Sequence, residues 1–393
     1  MQLPSHRQCR HPLKTEKMKK TTLLFLFAVS ATICFIFGIA LLHWNVFSSA
    51  KPKENKEIAA ITASHDLKEQ RIAYLSLIGR VGPELAQELL LKSGLPFTGQ
   101  THLLNHTVGE WLFDTLGVSG ILKCKEYFLA SCYHGLIIKA IGRYGNSNAA
   151  ERIITACKQS SSPVLAQCAH ALGHGFLAWN GYANLIPALH QCDILIHDHN
   201  DLMGLPCYDG VFMENVWAIH DGGAPSPDRW VKPEDPLYPC SDPRIAETYL
   251  PGCWSNQPAL LFQLFKGDIK KIGDVCADLS NDSFKTICFD GLARQIHPLT
   301  NGNSESADHL CSLMPDEWIK PCLVSVAKAA FSVGDRQMPF EICNAFAHSK
   351  DCYATLISMI TSDTRADENP QLLCAKINES DWKQSCLGSP VKK

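Results

Sequence analysis

Sixteen of the 18 cysteines lie beyond residue 120 and fall into eight pairs at a near-constant period, and no other feature restricts the fold as much. The pairs are Cys124 and Cys132, Cys157 and Cys168, Cys192 and Cys207, Cys240 and Cys253, Cys276 and Cys288, Cys311 and Cys322, Cys343 and Cys352, Cys374 and Cys386. Members of a pair stand 8 to 15 residues apart, and the gap to the next pair runs from 21 to 33. First cysteines follow one another at 33, 35, 48, 36, 35, 32 and 31 residues, a period in the range of helical-hairpin repeats. The text between pairs is helical. "CYHGLIIKAIGRYGNSNAAERIITAC" gives an apolar-striped helix, a Gly/Asn/Ser turn and a second helix, and "CFDGLARQIHPLTNGNSESADHLC" repeats that layout. The expected fold is therefore all-α, a helical-hairpin repeat array (an α-solenoid) over residues 120 to 388.

Where one cysteine ends the second helix of a hairpin and the next opens the following hairpin, a short loop brings the two together, so a disulfide within each pair closes easily. Loops of that length stabilise by about 2 to 3 kcal/mol each in the chain-entropy model. Pairing across the long gap, between the ends of one hairpin, is the alternative that spacing leaves open. An even cysteine count in this region suits an oxidising compartment.

Helix pairs of about 35 residues with Ala, Gly and Leu at close-packing positions and paired cysteines resemble the disulfide-stapled, Sel1-like branch of tetratricopeptide-type repeats, although "CWSNQPALLFQLF" and "CLVSVAKAAFS" keep little of the Sel1 consensus. That resemblance implies a stacked scaffold. The strings "CYHG", "HALGHG" and "CYDGVFMEN" are also similar to a group of exported bacterial Cys/His-rich proteins, a likeness that implies export and no particular activity.

The N-terminus agrees with export. Thr21 to Leu42 carries no charge for 22 residues, long enough to cross a bilayer as a helix. Six Lys and Arg against Glu16 alone precede it, which places residues 1–20 in the cytoplasm as a basic tail, 21–44 as a transmembrane signal anchor, and the rest outside. A cleaved signal peptide, with Ser48-Ser49-Ala50 as the cleavage region and a secreted product, is the alternative. Residues 45–64 read as a polar linker and 65–119 as a helical cap. Beyond residue 50 stand 30 Lys and Arg against 38 Asp and Glu, which argues against a nucleic-acid partner.

The histidines do not follow the ruler. Nine of 16 fall between residues 102 and 220, whereas the region from Cys240 onward has His297, His309 and His348. His102 and His106 in "THLLNHTVGEW", and His170 and His174 in "CAHALGHG", are spaced four apart, which puts both rings of each pair on one helix face. Counted from the cysteine that opens its helix, His134 in "CYHG" and His170 both stand at +2, so stacked repeats should bring them together. Asp209 holds +2 in "CYDGVFMEN", Glu214 +7, and "CFDG" offers Asp290. Gly135, Ala171 and Gly210 sit at +3, where a minimal side chain permits close approach.

A lone His-x-x-x-His on a helix is ordinarily a packed or surface pair, Asp209 reads equally as a helix N-terminal acid, and Glu214 as a solvated one. Glu214 also lies about 100° around the helix from the +6 position, so it joins the histidines only from a facing wall. Two such pairs plus His134 in register favour a metal site. The expected ligands are His102, His106, His134, His170, His174 and Glu214 or Asp209, for one or two ions of zinc, iron, copper or manganese. His197 and His199 read as a polar loop, His190 as structural. Residues 219–240 form a Pro/Gly-rich insertion, in which His220, Arg229 and Trp230 are lid candidates over a groove. These readings describe a membrane-anchored periplasmic metal-dependent enzyme of the bacterial inner membrane, an oxidoreductase or hydrolase. The alternative is a non-catalytic Sel1-like scaffold that binds a peptide or partner protein.

Overall fold

Each helix of the computed structural model starts and stops where the sequence supplies a cap or a turn. The structure describes residues 51–95, 99–159, 162–199, 204–218, 226–347, 350–362 and 369–389. By its contacts the chain separates into two units, Met1–Lys56 and Glu57–Lys393. The apolar run 21–42 lies outside the described residues, and among these no helix is long and apolar enough to cross a membrane.

The described residues are helical without strands. In chain order the helices are α1 (Lys51–Ala63), α2 (Leu67–Val81), α3 (Pro83–Leu91), α4 (Gly99–Leu116), α5 (Tyr127–Tyr144), α6 (Asn146–Cys157), α7 (Ser162–Asn180), α8 (Leu185–His199), α9 (Gly204–Trp217) and α10 (Leu250–Leu264). They continue with α11 (Ile269–Ala277), α12 (Asp282–Leu299), α13 (Ser304–Cys311), α14 (Asp316–Ser332), α15 (Met338–Ile342), α16 (Lys350–Ser362), α17 (Pro370–Ala375) and α18 (Ser380–Gly388). Side-chain caps from Asp66, Asp268, Asn281, Asn303 and Asn369 satisfy first-turn N–H groups of α2, α11, α12, α13 and α17. Gly145, with φ of 75°, turns α5 directly into α6, the hairpin turn read from "YGNSN".

The longer helices pack in sequence, α4 on α5, α5 on α7, α7 on α9, α9 on α10, α10 on α12, and α12 on α14. The intervening helices α6, α8, α11 and α13 each contact the two helices that flank them in the chain. Apolar side chains between these rows form two main clusters, one running from Ile61 to Trp254 and the other from Leu261 to Cys386. All eight cysteine pairs are disulfides of the short-range kind, with Cα–Cα distances of 5.5 to 6.6 Å. So many disulfides belong to an oxidising environment.

Two expectations change. The stretch read as linker contains α1, whose Ile61 is fully buried and whose Glu57 pairs with Arg80 at 2.6 Å. Its charged text hides a single inward stripe. The described part of the Pro/Gly-rich insertion, from residue 226, is packed down: Trp230 is buried, its indole N–H donates to the Ala183 carbonyl, and its ring stacks on Tyr238. Asn215 fastens the Trp230 backbone from both sides, and Arg229 donates to the Val216 carbonyl at 2.6 Å. Arg229 and Trp230 thus close the C-terminal end of α9 instead of covering a groove, and His220 lies outside the described residues.

Glycines set the tightest helix contacts. A Cβ on Gly135 would stand 2.1 Å from the His106 carbonyl oxygen, and one on Gly210 would stand 2.0 Å from that of His170. Gly109 and Gly173 meet the Cys132 and Cys207 carbonyls reciprocally, at 1.9 and 2.1 Å. Gly210→Ala must therefore spread α7 from α9, and thermal unfolding should show a loss of about 1 to 3 kcal/mol. Gly142→Ala, where a Cβ meets nothing within 4 Å, should be neutral or stabilising by up to about 1 kcal/mol. Thiol titration of the denatured, unreduced chain should find no reactive cysteine beyond residue 120.

Candidate metal centre

Five histidines from three helices meet between α4, α5 and α7; the glycine contacts draw α4 to α5 and seat α7 against α9. His102 and His106 come from α4, His134 from α5, and His170 and His174 from α7. Their donor atoms form two triads, His102 with His106 and His134, and His134 with His170 and His174, each within 4.8 Å. A metal ion could be held by either. His134 and His174 are fully buried, His102 and His106 nearly so, and the His170 side chain is 15% exposed. The rings are thus enclosed between helices, not displayed in an open groove.

The outer nitrogens of three rings are held. His174 Nδ1 lies 2.9 Å from Glu214 Oε2, His170 Nδ1 lies 3.2 Å from Asp209 Oδ2, and His102 Nδ1 lies 2.7 Å from the Phe128 carbonyl oxygen. Where each Nδ1 donates to these acceptors, each Nε2 presents a lone pair inward. His174 Nε2 and His170 Nε2 then face each other at 3.2 Å, and His102 Nε2 faces His134 Nδ1 at 3.1 Å. Two lone pairs at that distance repel unless a cation or proton lies between them. His134 Nε2 is buried without a hydrogen-bond partner.

The two acids of the expected ligand set stand behind the histidines. Asp209 and Glu214 grip the backs of His170 and His174 from α9 and do not join either donor triad. Glu214 comes from the facing helix because its +7 position points away from its own +2 face. It also accepts from the Tyr182 hydroxyl at 2.5 Å, so the fully buried carboxylate has a partner on each oxygen. Burial pushes the Asp209 carboxyl up, but the hydrogen bond from His170, the Arg294 charge and Ser255 outweigh it and hold the group well below its usual range. Asn256 donates to the same carboxylate at 2.8 Å.

Asp290, the later +2 residue, bonds Ser325 and Lys328 and has no histidine. His190 is exposed on α8, and the side chains of His197 and His199 lie outside the described residues. Tyr182, Arg294 and the Phe128 carbonyl carry no motif. Phe128, Leu129 and Ala130 take left-handed backbone angles, φ 53°, 54° and 55°, without a glycine among them. Nothing in "EYFLASC" announces this turn.

The chain matches no protein-family model, no curated protein and no solved structure. Its likeness to Sel1-type repeats therefore rests on period and cysteine placement.

Burial holds the His134 ring's pKa well below its ordinary value, reinforced by the charge that His174, His102, His170 and His106 would carry. At pH above about 6.5 the ring is neutral in both folded and unfolded chains and contributes nothing to pH dependence. Below that pH the unfolded chain takes up a proton the native ring refuses, so stability falls with acid, by about 1.4 kcal/mol per pH unit for this group. Denaturant melts of the metal-free protein between pH 7.5 and 5 should show that decline, and His134→Phe should flatten it.

Proposed function

We propose that the chain is a metal-dependent enzyme of an oxidising, extracytoplasmic compartment, and that its chemistry is oxidation and reduction. The single observation that carries the metal reading is the inward face of His170 and His174, whose Nε2 atoms stand 3.2 Å apart while both Nδ1 atoms are held by carboxylates. Incidental polar lining would not bury two lone pairs against each other. An acidic residue behind a ligating imidazole fixes its tautomer and raises its basicity, which is the arrangement Glu214 and Asp209 provide.

With the acids behind the rings, the donors are nitrogen alone. That set favours zinc, copper or iron over manganese. Three nitrogens per triad leave a four-coordinate ion one position short, as in catalytic sites. Enclosure by α4, α5 and α7 favours electrons and small oxidants over a bulky hydrolytic substrate. The stapled second half, from α10 onward, serves as scaffold. The apolar run 21–42 anchors the protein in a bacterial inner membrane with the helical body in the periplasm.

Elemental analysis of tag-free protein tests the reading. Wild type should carry stoichiometric transition metal, and the His170→Ala/His174→Ala double variant should lose at least the share bound by its triad, with every disulfide intact by thiol titration. Metal content unchanged in that variant would sink the proposal. Glu214→Gln, which keeps every nitrogen donor and removes the charge behind His174, should weaken metal binding about 10- to 100-fold in a chelator competition.

A further inference from the structure

The donors cluster as two threes with one residue in common. His134 has its ring centroid 5.0 Å from His102, 5.6 Å from His106, 5.4 Å from His170 and 4.5 Å from His174, so it stands between the two helical pairs. It also differs from three of the four rings around it in its exits. His102, His170 and His174 each give Nδ1 to an oxygen outside the cluster. His134 Nδ1 points instead at His102 Nε2, and its Nε2 is buried with no hydrogen-bond partner. A histidine packed for stability alone would give one nitrogen to the backbone or to a carboxylate.

We propose that the cluster takes two divalent ions, one in each triad, and that His134 bridges them as an imidazolate with one nitrogen on each. This rests on the metal reading above and adds the number of ions and the link between them. A neutral imidazole holds one lone pair and one N–H. The first ion takes the lone pair, and the second takes the other nitrogen once its proton has left to solvent, which makes the bridge an anion. Asp209 and Glu214 add two negative charges behind the second triad, so the charge of the paired ions is largely met by the bridge and these acids. Each ion then has three nitrogens and an open position.

Cupric ion is a direct probe, because an imidazolate couples two copper spins antiferromagnetically and removes their paramagnetic signal. The metal-free full-length chain, titrated with copper and measured by atomic absorption and electron paramagnetic resonance, should bind two coppers with most of the expected signal missing. His102→Ala/His106→Ala should bind one copper and restore its full signal. Two coppers with undiminished signal, or a single copper in wild type, would overturn the bridge while leaving a metal centre. No tight copper, zinc or iron at all would overturn the metal reading and the bridge together. The wild-type measurement decides between these outcomes even if the variant does not fold.

Discussion

The contact of a helix backbone with a glycine on its neighbour governs this molecule. Interhelical distance follows the size of the side chains at the crossing, and with no side chain the helices approach to the limit of backbone contact. On α5 and α9 the glycine at +3 directly follows the polar residue at +2, so the unit that brings two helices together also delivers a functional group into the space between them. His134 enters the cluster beside Gly135, which lies under the His106 carbonyl, and Asp209 reaches His170 beside Gly210, which lies under the His170 carbonyl. His102 on α4 and His134 on α5 meet at 5.0 Å because nothing at that crossing holds them further apart.

Disulfides and glycines divide the remaining work. The disulfides run the whole length from Cys124 to Cys386 and join consecutive hairpins, whatever the chemistry of the helices between them. The second half retains the close contact, with Gly291 against the Ser255 carbonyl, yet its +2 acid reaches Ser325 and Lys328. Scaffold and histidine cluster are thus separable: disulfides and close helix contacts recur in both halves, and the clustered histidines lie in the first.

That separability explains what the sequence disclosed. Short-range cysteine pairing was legible as the easier closure over 8 to 15 residues, and the structure, not the spacing, removes the long-gap alternative. His134 and His170 were legible because repeat register is carried by counting. Asp209 marks the limit of that counting: register places it at the cluster, and the structure sets it against His170 Nδ1, outside both donor triads. Glu214 reaches the site by the route its helix angle required, from a facing helix, and still as a partner of His174, not as a donor. Tyr182 and Arg294 arrive through tertiary packing, which leaves no local pattern. In "KPKENKEIAAITA" the charges outnumber the buried positions, so a helix with one inward residue read as linker.

The turn at Phe128–Ala130 shows where local preference has been overridden. Left-handed angles cost an L-residue roughly 1 to 2 kcal/mol each, and three in a row need the surroundings to impose them. The Cys124–Cys132 disulfide closes the loop around this turn, and the Tyr133 hydroxyl ties back to the Cys124 carbonyl at 3.2 Å. The product is a backbone carbonyl aimed at His102. A carbonyl is a neutral acceptor, whereas His170 and His174 lean on carboxylates, so the two ends of the cluster differ in charge although their rings are arranged alike. Imidazoles backed by carboxylates are the stronger bases and stabilise positive charge better. On the proposed metal reading, the first ion is therefore favoured between His170 and His174.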